Sequence, residues 1–332
     1  MAERTLTYLK ALTEAQREEM RRDERVFLIG NDVRSGLFGT TKGFVEEFGE
    51  ERVRDTPLAE LGFVGTSVGA AMTGLRPIVD FTIASFVYVA MDQMISQAAK
   101  SRYMFGGQVS VPIVFRAALF YGGANAAQHS DRPYPIFMSV PGIKVIVPAT
   151  PYDAKGLLKA AIRDDDPVFC FEDSTVWFSK GDVPEEDYVV PIGKAAIKRE
   201  GPDATVITVA GSLVPALAAA ERLASQDGIS VTVVDVRTLV PLDWETVLGA
   251  AAATGRVVVV DPAHRTCSAA SEISATITEE VFDSLKAPVV RVTTPDTHIP
   301  FSQPLEKSIY PNADRIVEAV KRVCGERAGV KR

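Results

Sequence analysis

A histidine at the end of a small-residue loop is the clearest candidate for proton-transfer chemistry in this chain. The segment from Tyr121 to Ser130 reads YGGANAAQHS, with His129 at its far end among polar neighbours. Small residues without periodicity indicate a loop that another molecule can approach closely. An imidazole there can exchange protons near neutral pH, although a solvated loop histidine without a function fits the same pattern.

A carboxyl group marks a second candidate segment, DTPLAELGFVGTSVG at residues 55–69. The sequence predicts that Thr56 caps a helix, that Pro57 takes its first position and that Glu60 falls in its first turn. Glu60 could complement the helix dipole or do chemistry, and the spacing leaves both open. Small residues keep the helix thin, which predicts a close approach by another backbone. These residues are Gly62, Gly65, Ser67, Gly69 and Ala70.

Searches for the common nucleotide, hydrolase and metalloprotease motifs are negative. The chain has no GxGxxG after a strand, no GxxxxGK[ST], no GxSxG and no HExxH. The three histidines and three cysteines are scattered, which indicates neither a metal site nor a disulfide framework. They are His129, His264, His298, Cys170, Cys267 and Cys324.

Strand and helix patterns alternate along the chain and must position these candidates. Short β-branched or aromatic runs predict strands, and longer runs at helical spacing predict helices. The rhythm predicts a largely parallel sheet covered on both faces, and hence an α/β fold. The first half has predicted strands at 26–29, 77–81, 111–115, 144–147 and 168–171, and predicted helices at 1–25, 58–73, 87–104 and 152–163.

A charged, Gly- and Pro-rich stretch at residues 180–203 interrupts this rhythm and predicts an inter-domain crossover. A second α/β pattern follows it. We therefore predict two doubly wound domains, residues 1–190 and residues 191–332. The second has predicted strands at 204–209, 230–236, 256–261 and 288–293, and predicted helices at 214–224, 243–253 and 269–285.

Composition argues against several classes of protein. With 46% hydrophobic and 24% charged residues in a length of 332, the chain can bury a large interior and is not a disordered tail. A net charge of −7 without a dense Lys/Arg stripe argues against binding nucleic acid or anionic membranes. The longest apolar stretch, residues 81–91, has about half the length that a bilayer-spanning helix needs. We expect a cytoplasmic protein without a membrane span.

Taken together, the segments resemble the β subunit of the thiamine-diphosphate-dependent, decarboxylating component of 2-oxo acid dehydrogenase complexes, in the transketolase-like superfamily. The similar stretches follow the expected order over nearly the whole chain. They include GNDV at 30–33, RVRDTPLAELGFVGTSVGAAMTGLRPIVDF at 52–81, MDQMISQAAKSRYMFGGQ at 91–108, PGIKVIVPATPYDAKGLLKAAIRDDDPVFCFE at 141–172 and RTLVPLD at 237–243. The resemblance implies a transketolase-like pyrimidine-binding domain followed by a domain of the transketolase C-terminal type.

The resemblance also implies roles for four residues. Glu60 would hydrogen-bond the aminopyrimidine ring of thiamine diphosphate and so help create its carbanion nucleophile. Leu58 and Phe86 would lie against that ring, although a plain core position would otherwise fit Phe86 better. His129 would help to pass the acyl group to a lipoyl disulfide.

A potassium site at residues 161–166 is implied by the same resemblance. Backbone carbonyls there would hold the ion together with those of a nearby strand, because hard oxygen atoms suit a hard cation. An exposed acidic turn at the end of a helix is the alternative interpretation. The proposed ligands are the carbonyls of Ile113, Val114, Ala161, Asp164 and Asp166.

A missing motif implies a partner. The superfamily binds magnesium and the diphosphate through a GDG followed by an asparagine pair, and this chain has no GDG. The resemblance therefore implies an α subunit that holds both, in a heterotetramer of two α and two β chains. The assembly would be an oxidoreductase that forms a hydroxyalkyl-thiamine intermediate from a small 2-oxo acid or acetoin. A lipoyl acyltransferase would receive the acyl group.

Several positions depart from the family pattern and bear on substrate and acceptor. Asn31 replaces the usual acid after the first strand, the run DRP at 131–133 replaces the usual residues after the loop histidine, and Ser139 replaces a second histidine. The stretch DPAHRTCSAASEI at 261–273 looks more like acetoin dehydrogenase β subunits. We interpret three residues near this end of the second domain as structural or interface residues: His264, Cys267 and His298.

Two other functions remain alternatives. A carboligase or transketolase-like subunit would pass its intermediate to an aldehyde or ketone, and the altered residues after His129 favour this more than the usual ones would. A non-catalytic scaffold subunit would have kept only the fold, and the retained Glu60 and His129 argue against it. The residues do not identify the substrate.

Overall fold

The computed structural model of the protein describes residues 4–325. This part of the chain forms two compact units. Unit 1 comprises residues 4–121 and Gln128–Ile192, and unit 2 comprises Gly122–Ala127 and residues 193–325. The predicted α/β class with two sheet domains is confirmed. The predicted boundary at residue 190 stays a prediction, and the chain passes from unit 1 to unit 2 after Ile192.

Unit 1 is built around a parallel sheet. Its strands are β1 (Thr5–Thr7), β2 (Val26–Gly30), β3 (Val53–Asp55), β4 (Arg76–Ile83), β5 (Val114–Leu119), β6 (Lys144–Ile146), β7 (Val168–Asp173) and β8 (Lys180–Asp182). Six of them pair side by side in the order β6, β7, β5, β4, β2, β3, all parallel. The short strands β1 and β8 pair antiparallel apart from this sheet.

Helices cover the strands of unit 1. They are α1 (Tyr8–Arg22), α2 (Phe44–Phe48), α3 (Glu60–Met72), α4 (Ala99–Met104), α5 (Tyr134–Met138) and α6 (Pro151–Arg163). Helix α1 packs on α6, and α3 packs on β4 and on the 3₁₀ turn Ala84–Ala90 that follows β4. Buried aliphatic and aromatic side chains from α1, α6 and the sheet form one continuous core, because each element presents one apolar face.

Unit 2 has a smaller mixed sheet. Its strands are β9 (Ala196–Pro202), β10 (Ala204–Thr208), β11 (Val231–Asp235), β12 (Thr238–Val240), β13 (Val257–His264) and β14 (Val290–Thr294), and its helices are α7 (Leu213–Arg222), α8 (Trp244–Thr254), α9 (Ala269–Glu280), α10 (Gln303–Ile309) and α11 (Ala313–Cys324). Five strands lie in the order β14, β13, β10, β11, β9, with β9 antiparallel at one edge. Within residues 4–325 no helix has the length and apolar character to span a membrane.

A buried cation joins the central strands of unit 1. Arg116 on β5 donates hydrogen bonds to Glu172 on β7 at 2.7 and 3.0 Å, to Asp80 on β4 at 3.1 Å and to Gln16 on α1 at 2.8 Å. Burial alone would lower the pKa of Arg116, but Glu172 and Asp80 raise it above its usual range. Because a buried charge is tolerated only with such partners, the network fixes the register of three strands and the position of α1.

The predicted start of α3 is wrong. The helix begins at Glu60, with Ala59 at the N-cap position and no side-chain cap. Thr56 and Pro57 therefore lie outside the helix. The side-chain amide of Asn31 donates to their backbone carbonyls, both at 3.0 Å, and these bonds hold the two residues in the preceding loop.

Several other predicted bounds change. The predicted helix 87–104 is divided into the turn Ala84–Ala90, the π-helical Gln93–Ala98 and α4. Strand β5 begins three residues later than predicted, because the Ile113 N–H bonds to the Val111 carbonyl in a tight turn. The predicted crossover contains the edge strand β9.

The predicted helix 1–25 begins only at Tyr8, because Thr5–Thr7 form strand β1, and residues 1–3 of that prediction lie outside the described residues. The predicted helix 269–285 ends at Glu280. The remaining predicted elements are present close to their expected bounds.

A second charged network connects α1, α6 and the segment after β8. Lys159 on α6 is buried and forms an ion pair with Glu18 on α1. Lys159 and Arg163 also both pair with Asp187, the latter at 2.8 Å. These two cations lower the pKa of the largely exposed Asp187 to about 2.

The Asp187→Asn variant should lose stability in a pH-dependent manner. The folded-state pKa of Asp187 lies below the ordinary value of 3.8, so its contribution is present above that value and disappears as pH falls through about 2. Wild type should therefore have the higher Tm near neutral pH, and the difference should narrow between about pH 4 and about pH 2. Glu186→Gln is the matched control, because Glu186 forms no ion pair within residues 4–325. A Tm difference that is independent of pH would contradict the assignment.

Candidate active site

The candidate residues follow the carboxyl ends of neighbouring parallel strands. Asn31 follows β2, and Glu60 follows β3. Phe86 follows β4, and His129 follows β5. The strand order changes direction here, because β3 lies on one side of β2 and β4 on the other. Open α/β sheets bind ligands at the carboxyl edge beside such a switch point, so the fold brings these residues to a favourable edge.

Glu60 is a buried carboxyl group at the first position of α3. Its residue is 8% exposed. Within residues 4–325 no group donates a hydrogen bond to its carboxylate. Neither carboxylate oxygen is among the fully buried polar atoms without a partner, so the group still reaches the surface. A ligand that covers it must therefore supply its hydrogen bond. The position therefore suits an acid that meets a hydrogen-bonding ligand better than one that only complements the helix dipole.

The surroundings of α3 are open on one side. Leu58, which precedes the helix, is 79% exposed. A Cβ atom at Gly65 would lie 3.0 Å from Oε1 of Gln93, so a close approach occurs there. At Gly62 such a Cβ would lie 3.9 Å from the Cβ of Ala59, an ordinary contact, and at Gly69 no atom of the described residues outside the helix's own turn lies within 4 Å. Inside unit 1, then, the small-residue helix has a close neighbour at Gly65, an ordinary contact at Gly62 and open space at Gly69.

Phe86 and His129 are in contact. Their ring centroids lie 5.6 Å apart with planes at 81°, an edge-to-face arrangement. Both side chains are half-buried. The structure therefore brings together two residues that are far apart in the sequence, and the imidazole is neither fully solvated nor enclosed in the core.

Two further interactions join the turn after β4 to the residues after His129. The Asp131 N–H bonds to Oγ of Ser85 at 3.4 Å. Burial raises the pKa of Tyr88 to about 12, and the nearby Asp131 carboxylate adds to the shift. The turn and the loop therefore form one surface with several polar groups around the two rings.

The predicted potassium segment lies where α6 ends beside the start of β5. The Ile113 carbonyl accepts the Val168 N–H at 3.0 Å, and the Ala161 carbonyl accepts the Asp164 N–H at 3.2 Å. The guanidinium of Arg76 donates to the Asp164 carbonyl. A carbonyl oxygen has two lone pairs, so each retains one for a cation. The segment ends a helix, as the alternative interpretation also predicted.

Analysis of the sequence missed Glu306, on α10 of unit 2. Its residue is fully buried, and its carboxylate accepts the backbone N–H groups of Gly122 and Ala124, each at 2.9 Å. Ala124 and Ala126 have positive φ angles of 56° and 58°, which is uncommon for alanine. The surrounding sequence QPLEKSI carries no recognisable motif, so only the fold identifies Glu306 as the residue that holds this segment.

The other singled-out residues lie elsewhere or have structural partners. Oγ of Ser139 donates to the Ile136 carbonyl at 2.9 Å, at the end of α5. Nε2 of His264 lies 2.9 Å from the Thr297 carbonyl oxygen. Within residues 4–325 no three or more His, Cys, Asp or Glu side chains are grouped to hold a metal ion. Cys267 and His298 are both exposed.

Comparison with protein families gives two matches in the order of the two units. Residues 4–175 match the transketolase pyrimidine-binding domain, and residues 193–316 match the transketolase C-terminal domain. Two solved structures have a similar fold. A "split gene transketolase, inactive beta4 tetramer" superposes with a TM-score of 0.79 over 96% of this chain and 98% of its own, at 22% identity. Transketolase from Leishmania mexicana gives a TM-score of 0.72 over 98% of this chain and 46% of its own, at 14% identity.

Curated relatives match the chain over nearly its full length. The Bacillus subtilis acetoin:2,6-dichlorophenolindophenol oxidoreductase subunit beta is 45% identical, covering 98% of this chain and 99% of the relative. The 2-oxoisovalerate dehydrogenase subunit beta of the same organism is 47% identical, covering 96% of this chain and 98% of the relative. The pyruvate dehydrogenase E1 component subunit beta of Rhizobium meliloti is 44% identical, covering 96% of this chain and 70% of the relative. The three relatives carry three different substrate names.

Asn31→Asp tests how the loop before Glu60 is held. An aspartate loses the amide donor to the Thr56 and Pro57 carbonyls and directs an oxygen at them instead, so we expect a loss of about 1–3 kcal/mol in stability. Thermal unfolding near neutral pH measures this loss as a lower Tm. Asp32→Asn is the matched control: Asp32 is exposed, so a change within about 0.5 kcal/mol is expected. An unchanged Tm for the Asn31 variant would contradict the role of these bonds.

Proposed function

This chain belongs to the family of E1 β subunits of 2-oxo acid and acetoin dehydrogenase complexes, and we propose that with an α subunit it oxidises a small 2-oxo acid or acetoin. The observation that carries the proposal is the largely buried Glu60 at the carboxyl edge of a parallel sheet, whose carboxylate accepts no hydrogen bond from residues 4–325. The family match over both units supports the same conclusion.

Thiamine diphosphate is the cofactor that these residues fit. A carboxylate on a largely buried residue, with no donor among residues 4–325, suits the ring nitrogen of the aminopyrimidine. The half-buried ring of Phe86 and the exposed Leu58 offer apolar contact. When bound, the cofactor would supply a carbanion nucleophile for the substrate carbonyl and a cationic ring that takes up the electrons of the broken carbon–carbon bond. Glu60 would hold the proton at the ring nitrogen, and Leu58 and Phe86 would orient the ring.

His129 would serve the transfer of the acyl group to a lipoyl disulfide. Its imidazole is half-buried and makes an edge-to-face contact with Phe86. This contact holds the imidazole beside the side chain that we propose to lie against the cofactor. An imidazole can donate a proton to the leaving sulfur near neutral pH, as the disulfide opens to a thioester and a thiol. This role explains why the residue is held on a shaped loop.

An α subunit would complete the site. Without a GDG motif, this chain would contribute the pyrimidine side of the cofactor site, and its partner would hold magnesium and the diphosphate. Two large apolar side chains on α4 are exposed, Tyr103 by 91% and Met104 by 70%. Such exposure supports a surface that a partner subunit covers. The open position at Gly69 on α3 would admit a close backbone. We propose a heterotetramer of two α and two β chains, with a lipoyl acyltransferase as the next partner.

Potassium, where bound, would lie at the end of α6. The carbonyls of the two segments around Ile113 and Asp164 would hold it, because backbone oxygens with a free lone pair suit a hard monovalent cation. The full ligand set would be the carbonyls of Ile113, Val114, Ala161, Asp164 and Asp166. The ion would stabilise the loop and would take no part in the chemistry.

Glu60→Gln should nearly abolish turnover in the complex with the α subunit. The amide cannot hold a transferable proton at the ring nitrogen, so reduction of 2,6-dichlorophenolindophenol should fall on the order of 10²- to 10⁴-fold. Pyruvate, 2-oxoisovalerate and acetoin are the substrates to compare. Glu46→Gln is the matched control, because Glu46 is an exposed acid in the first turn of α2. Wild-type activity in the Glu60 variant would refute the proposed function.

His129→Ala should separate two activities of the same complex. Acylation of a lipoyl domain should fall on the order of tenfold more than dye reduction, because only the first reaction needs a proton for the lipoyl sulfur. His298→Ala, at an exposed histidine of unit 2, should change neither rate. Equal losses in both assays would remove the acyl-transfer role. Ketol products formed without a lipoyl partner would instead indicate a carboligase.

A further inference from the structure

Arg132 lies in the run DRP that departs from the family pattern, and its side chain points into the protein. The residue is 6% exposed. Its Nη2 donates to the Phe120 carbonyl at 2.8 Å, and its Nη1 donates to the Ser130 carbonyl. The guanidinium carbon also lies 4.5 Å from the centre of the Tyr121 ring. The departure therefore concerns an internal contact within unit 1.

The two acceptors are the two ends of one loop. Phe120 directly follows β5, and Ser130 directly follows His129. Because the guanidinium is a rigid planar fork with several donors, it can bind two carbonyls at once and bring them to a fixed separation. A residue with one donor, or none, could not hold both ends. Arg132 thus closes the base of the loop that carries His129.

We propose that Arg132 is a positioning residue for His129: by joining the Phe120 and Ser130 carbonyls, it fixes the loop so that the imidazole stays against Phe86. This inference rests on the acyl-transfer role proposed for His129. It also gives the altered run after His129 a function. In this proposal the arginine does not act on the substrate directly.

The geometry argues against the obvious alternative, an arginine that recognises the carboxylate of a 2-oxo acid. Such an arginine presents its fork to the ligand and leaves it accessible. Here the fork is directed at backbone carbonyls, and one face covers Tyr121. The guanidinium of Arg132 therefore binds groups of the protein itself. If Arg132 instead bound the substrate carboxylate, its replacement would raise KM.

The test compares Arg132→Gln, Arg132→Lys and His129→Ala, with the double variant Arg132→Gln/His129→Ala, all in the complex with the α subunit. Each is assayed for KM of pyruvate, 2-oxoisovalerate and acetoin, for dye reduction and for acylation of a lipoyl domain. Arg21→Gln is the matched control, since Arg21 forms a surface ion pair with Glu47. Hydrogen exchange of peptides covering residues 121–130 reports the order of the loop independently.

Arg132→Gln should lower lipoyl acylation on the order of tenfold or more, because a displacement of about 1 Å at a reacting group is costly. KM and dye reduction should stay within about twofold, and hydrogen exchange at residues 121–130 should increase. Arg132→Lys should recover part of the acylation rate, since its ammonium can still reach one carbonyl. In the double variant, the loss should equal that of His129→Ala alone, because the two residues act on one step.

Each contrary outcome identifies a different error. A raised KM with unchanged acylation would overturn the proposal in favour of substrate recognition. Unchanged hydrogen exchange, or losses that add in the double variant, would overturn the coupling to His129. If His129→Ala shows no selective loss, the proposed role of His129 fails, and hydrogen exchange in the Arg132 variants still decides whether the arginine holds the loop. If the Arg132→Gln variant does not assemble with the α subunit, Arg132→Lys is used instead to compare KM, dye reduction and lipoyl acylation.

Discussion

The buried guanidinium of Arg116 is the constraint on which the rest of unit 1 depends. Its charge must be balanced inside the core, and only one arrangement of β4, β5, β7 and α1 supplies Asp80, Glu172 and Gln16 together. A slip of one residue in any of these strands would point its partner to the other face of the sheet. The turn that carries Phe86 and the loop that carries His129 leave the ends of two of these strands, so the network sets where both begin.

The site residues depend on helix ends and loops more than on the helices themselves. Helix α3 starts at Glu60, and the bonds from Asn31 to the Thr56 and Pro57 carbonyls hold those two residues outside the helix. An acid at position 31 could not make those bonds in its charged form. Asn31 therefore holds the segment that precedes the candidate catalytic carboxyl.

The sequence was sufficient for the class of fold and for most elements, because apolar periodicity in a parallel α/β protein is strong. Prediction from the sequence failed where a side chain distant in sequence overrides the local preference for a helix start. Thr56 and Pro57 have the right types for a helix start, but Asn31, 25 residues earlier, competes for that segment. It also failed at Glu306, since nothing local distinguishes a buried acid that binds backbone N–H groups from an exposed one. The residues recognised by resemblance, Glu60 and His129, required whole-chain similarity, because each alone fits an ordinary role.

The loop before His129 is strained, and the strain must be supported from outside the loop. Ala124 and Ala126 adopt positive φ angles, which cost on the order of 1–3 kcal/mol each for residues other than glycine. Such conformations persist only where surrounding groups fix them. Within unit 2, Glu306 accepts the Ala124 N–H, and within unit 1, Arg132 joins the carbonyls on either side of the loop. A free loop of Gly and Ala would sample many shapes, so Glu306 restricts the part of the loop that belongs to unit 2, and Arg132 restricts its two ends within unit 1.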